Sequence, residues 1–71
     1  MNKKRRKKIQ DLIRSLQNLV QEILDEEQEA YDNMPENLQA SDNGLVSEEA
    51  QESLEAAVDA LEEAIDYLEE I

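Results

Sequence analysis

Nineteen carboxylates are the only side chains present in number that could do chemistry, since the chain has no histidine and no cysteine. Nucleophilic catalysis needs a base beside its nucleophile, and both usual partners are missing. A phosphate-cradling loop needs several glycines, and there is one. Structural or catalytic zinc draws mainly on thiolates and imidazoles. What remains is a magnesium site. Glu22, Asp25, Glu26 and Glu29, or Glu62, Asp66 and Glu69, have the spacing by which all-helical nucleotide pyrophosphatases hold Mg2+. Such a site turns its acids toward the inside of a bundle. Here the repeat that contains Glu62, Asp66 and Glu69 sends them outward, as the next paragraph shows. The reading is therefore a solvated acidic face, with no catalytic residue, no metal and no cofactor.

The element behind those acids is a helix with a seven-residue repeat: Leu-Glu-Ala-Ala-Val-Asp-Ala over 54–60, Leu-Glu-Glu-Ala-Ile-Asp-Tyr over 61–67, and Leu-Glu-Glu-Ile at the end. Leu54, Leu61 and Leu68 take position a, Ala57, Ala64 and Ile71 position d, and Val58 and Ile65 position e. Glu55, Glu62 and Glu69 then fall at b, Glu63 and Glu70 at c, and Asp59 and Asp66 at f, all facing water. Ser47 is a suitable N-cap, followed by Glu48 and Glu49 near the positive end of the dipole. These signals predict a helix over 47–70.

An earlier helix is predicted over 3–32. Ile9, Leu12, Ile13, Leu16, Leu19, Val20, Ile23, Leu24 and Tyr31 recur in steps of three and four along it. Between the helices, 33–46 reads as a long loop. Pro35 closes the first helix and can open a short turn over 35–39. Ser41 to Gly44 reads as a tight turn, with the glycine free to take positive φ. Met34, Leu38, Leu45 and Val46 can cap the hairpin end, and Met34, Pro35, Leu38 and Gln39 are candidate binding residues of that loop. The fold class is all-α, an antiparallel two-helix hairpin in a single domain over 1–71.

Charge supports the antiparallel order. The net charge is −12, yet Lys3, Lys4, Arg5, Arg6, Lys7 and Lys8 form an unbroken cationic head, and Arg14 is the only basic residue after it. Antiparallel packing sets that head beside the acidic end of the second helix. Exposed ion pairs contribute only about 0–1 kcal/mol each, so they select orientation more than they stabilise. Each apolar stripe is three heptad positions wide, and a two-stranded seam needs two. Two hairpins burying their open faces together would form a four-helix bundle. Self-association is expected through Ile9, Leu12, Ile13, Leu16, Leu19, Val20 and Ile23 of the first helix. The second helix contributes Leu54, Val58, Leu61, Ile65 and Leu68.

No apolar run is long enough for a signal peptide or a membrane span. The absence of cysteine suits a reducing cytosol. The head can make salt-sensitive phosphate contacts. It lacks interleaved aromatics, and the acidic remainder repels DNA, so nucleic acid is not the expected partner.

One stretch carries a resemblance. Asp25-Glu26-Glu27-Gln28-Glu29-Ala30-Tyr31-Asp32-Asn33-Met34-Pro35-Glu36-Asn37-Leu38-Gln39, the basic start and the Leu-Glu-Glu-Ala-Ile-Asp helix resemble a group of short acidic helical proteins of bacteriophages and prophages. The Tyr-Asp-Asn-Met-Pro-Glu-Asn-Leu-Gln segment is its most specific part. The resemblance implies a phage-like origin, hence a host bacterial cytoplasm, and no particular chemistry. Phage proteins of this size commonly interfere with host proteins or signals. Three functions follow as expectations. The acidic face can occupy a basic groove of a host defence protein. Alternatively, converging Lys3–Lys8 segments of an oligomer can sequester a phosphorylated small-molecule signal. The third is a structural or assembly accessory of the phage particle.

Overall fold

The structure is a computed structural model and describes residues 1–71. Two long helices, α1 (Lys3–Asp32) and α3 (Asp42–Glu69), pack antiparallel, with a one-turn helix α2 (Glu36–Gln39) at the bend. The rod measures 54 × 15 × 11 Å. No helix is long and apolar enough to cross a membrane.

The first helix starts where its backbone can be satisfied. Asn2 caps α1: its Oδ1 accepts from the amides of Lys4 (2.8 Å) and Arg5 (3.3 Å). That supplies two of the partners which the first turn lacks. At the far end Pro35 begins α2, and its carbonyl accepts from the amides of Leu38 and Gln39. The Gln39 side chain donates back to the Tyr31 carbonyl (2.9 Å), tying α2 to the end of α1.

The second long helix begins at Asp42, five residues before the expected start at Ser47. Ser41 occupies the capping position, but its hydroxyl donates to the Leu38 carbonyl instead of capping. Asp42, Asn43 and Gly44 are poor helix formers, so local propensity alone does not account for this turn. The reason lies in what Gly44 touches. It is buried, has no positive φ, and sits so close to α2 that a Cβ there would collide with the carbonyl oxygen of Gln39. Its missing side chain serves a close approach of backbones and not the tight turn read from the sequence. Ser47 is likewise not a cap. It is buried inside α3, where its hydroxyl donates to Glu27 (2.8 Å) and accepts from Gln51 (3.3 Å).

The seam between the long helices follows two heptad tracks. On α1 the shielded residues run Arg6, Gln10, Ile13, Gln17, Val20, Leu24, Glu27 and Tyr31. On α3 they run Gly44, Ser47, Gln51, Leu54, Val58, Leu61, Ile65 and Leu68, with Ala50, Ala57, Glu62 and Ala64 half-buried at its edges. Steps alternate between three and four, as a left-handed pair requires. Only Leu24 and Ile65 are buried hydrophobics, and no large side chain is fully enclosed.

Replacing Gly44 with alanine must push α2 off α3 or unwind the first turn of α3. Overpacking of this kind costs about 1–3 kcal/mol. Gly44→Ala is expected to lower the melting temperature by roughly 4–8 °C per kcal/mol lost, measured by circular dichroism.

Candidate functional site

Three surfaces are candidates: the cationic head, the bend, and the side of the hairpin left uncovered. The seam that α1 and α3 share determines how they are disposed. Gln10 Nε2 donates to the Ile65 carbonyl (3.5 Å), Gln17 Nε2 to the Val58 carbonyl (3.1 Å), and Ser47 to Glu27. These pairs place residue n of α1 beside about residue 75 − n of α3 (10 and 65, 17 and 58, 27 and 47).

Gln17 is the central polar group. It is buried, donates to both Val58 and Glu62 Oε2 (3.0 Å), and accepts from Arg14 (2.8 Å). Arg14 also reaches Glu62 (2.7 Å), the one ion pair between the helices. Hydrogen bonds from Gln17 and Arg14 hold the Glu62 carboxyl below its ordinary range. Nearer the bend, the Tyr31 hydroxyl donates to Glu48 (2.6 Å), and this bond raises the Tyr31 pKa. Gln10, Gln17 and Gln51 were not among the residues singled out from the sequence. Their heptad spacing was visible, but an apolar-only pattern passes over them.

The cationic head does not pair with the acidic end of α3. Of Lys3 to Lys8 only Lys7 forms an ion pair, and its partner is Asp11 of the same helix (3.2 Å). The ends do meet, through the terminal amine of Met1 and the carbonyl of Ile71 (3.1 Å). Lys4, Arg5, Lys7, Lys8 and Asp11 line a shallow groove of about 340 Å3. A second groove, of about 440 Å3, lies between Arg5, Lys8, Ile9, Leu12 and Ile13. Met34, Pro35, Leu38 and Gln39 stand at the opposite end. At 1.5 Å per residue, Lys8 and Met34 are about 40 Å apart along α1. A single chain therefore does not bring the head and the bend residues into one pocket.

The expected self-association residues divide into two groups. Ile13, Val20, Leu54, Val58, Leu61, Ile65 and Leu68 turn toward the seam within one chain. Ile9, Leu12, Leu16, Leu19 and Ile23 form a second heptad track that remains exposed, Leu12 at 73%. By helical geometry this track lies about 100° round α1 from the seam. The matching track on α3 is Val46, Ala50, Ser53, Ala57, Ala60, Ala64, Tyr67 and Ile71. Since the helices run in opposite directions, both tracks fall on the same side of the hairpin. The other side carries Arg14, Glu48, Glu55, Asp59, Glu62 and Asp66. No group of acidic residues is arranged to hold a metal ion.

Compared with protein-family models, curated proteins and solved structures, the chain matches none of them.

Two outcomes test this geometry. Gln17→Leu exchanges the polar seam group for an apolar one, and Glu62 keeps Arg14. It is expected to raise the melting temperature by a few degrees while widening seam resonances in an NMR spectrum, since a buried polar contact that selects one register is lost. Glu62 has a lowered native pKa, so its contribution is present above the ordinary value of 4.5 and is lost as pH falls through the native value. Glu62→Gln is expected to lower the melting temperature at neutral pH, with the difference from wild type closing in acid.

Proposed function

We propose that the protein is a non-enzymatic binding protein that self-associates through its open apolar side and meets its partner through its charged surface. One observation carries the reading: the hairpin's surface is divided into an apolar side and an acidic side. Burying a large aliphatic side chain contributes about 1.5–3 kcal/mol. Five of them in a row on α1 are a substantial driving force for association, and a chain with two buried hydrophobics has need of it.

The acidic side is the surface offered to a partner. Glu52, Glu55 and Asp59 are exposed along α3, at a spacing that presents a row of negative charge to a basic groove. The resemblance to short phage proteins supplies the setting, a bacterial host whose defence protein is the target. A second reading rests on the head. Five of its six cations have no ion pair within the chain, which favours capture of a phosphorylated small-molecule signal once several heads are gathered.

Immobilised protein is expected to retain a specific host protein at low salt. A chain carrying Glu52→Lys, Glu55→Lys and Asp59→Lys is expected to bind it at least tenfold more weakly. Equal retention by both chains would sink the acidic-face reading. Calorimetric titration with cyclic dinucleotides separates the second reading: heat with a defined stoichiometry supports it, and flat isotherms exclude that ligand.

A further inference from the structure

We infer that the open side of the hairpin is covered by one second copy of the chain, related by a two-fold axis along the rod, so that each α1 lies on the partner's α3. This rests on the self-association just proposed and specifies how it is built.

Size comes first. The open side has a footprint of 54 × 15 Å, about 800 Å2, the area that each partner gives to a standard stable interface. A two-fold axis along the rod keeps every residue at its own height. The register of the hairpin then also gives the register between copies, with residue n of α1 level with about 75 − n of the second α3.

Shape agrees at that register. The large residues Leu12, Leu16, Leu19 and Ile23 meet the heights of Ala64, Ala60, Ala57 and Ser53 on the other copy. Large side chains lie over small ones from Leu12 to Ile23. Where the α3 track becomes bulky, at Tyr67, the α1 surface opens instead. Residue 67 is level with residue 8, beside the groove lined by Arg5, Lys8, Ile9 and Leu12. Tyr67 is 67% exposed in a single chain, and its ring fits a groove with aliphatic walls and a cationic rim.

Charge agrees as well. Glu63 and Glu70 flank the same track on α3, level with about residues 12 and 5, on the outer edge where Lys4 and Lys8 project. Every neighbouring pair of helices in the bundle is antiparallel, with cationic and acidic segments alternating around the head end. Both Lys3–Lys8 segments then stand at one end of the dimer, on diagonally opposed helices.

Cysteine cross-linking tests the pairing in a chain that has no cysteine of its own. Leu16→Cys and Ala60→Cys chains are refolded together and oxidised, with sedimentation equilibrium of the wild type alongside. The expected result is a mass of two chains and a mixed disulfide between Leu16→Cys and Ala60→Cys as the main covalent product. Leu16→Cys alone stays uncrosslinked, because diagonal helices hold those positions beyond the ~7 Å that a disulfide spans. A Leu16→Cys homodimer would overturn the pairing and put α1 against α1, leaving self-association intact. A mass above two chains would overturn the single-copy assignment. A single-chain mass at micromolar concentration would overturn both the pairing and the self-association.

Discussion

Two helices in contact share one line, and each can bury only the side chains along it. That constraint governs this protein. α1 carries two heptad tracks, and α3 can cover one. The covered track holds Gln10, Gln17 and Glu27 among its apolar members, while the uncovered one holds five consecutive aliphatic residues. The hairpin thus places its strongest hydrophobic surface away from its own second helix. With Leu24 and Ile65 as the only buried hydrophobics, a chain of this size sits near the lower limit for an independent core.

The polar seam sets register where apolar packing leaves it loose. A uniform seam of leucine and alanine allows slippage by a heptad at little cost. Gln17 makes that slip expensive, since its donors reach Val58 and Glu62 only at one offset. Ser47 and Glu27 repeat the device about three turns nearer the bend. Gly44 adds a third constraint, since the backbone of α2 fits against α3 only where there is no Cβ. Together they align the hairpin along its full length, and that alignment gives the outward tracks their matching heights.

Charge has a smaller part within one chain than its quantity suggests. One ion pair, Arg14 with Glu62, is all that forms between two helices whose facing ends are oppositely charged. Both groups are about half exposed, and pairs of that kind contribute little. The cationic head is left to meet something else: solvent, a ligand, or the acidic flank of another chain.

The sequence by itself determined that the chain is helical, that its two long helices lie antiparallel, and that the usual residues of nucleophilic and zinc chemistry are missing. Period, composition and charge order are local properties, readable residue by residue. It also showed that the apolar stripes were wider than one contact needs. Which part of each stripe turned inward was decided only by the tertiary structure, because a stripe three positions wide contains two overlapping heptad tracks of equal period. Choosing between them depends on the hydrogen bonds of Gln17 and the close approach at Gly44, and both involve residues distant in the chain. The same holds for Ser47 and for the early start of α3. A serine before two glutamates signals a helix start by every local rule, and only contact with Glu27 makes it part of the seam. Of the candidate site, the cationic head and the acidic face were legible as charge runs. Their separation from the bend by the length of α1, and the gathering of Ile9, Leu12, Leu16, Leu19 and Ile23 onto one uncovered side, came from how the helices pack.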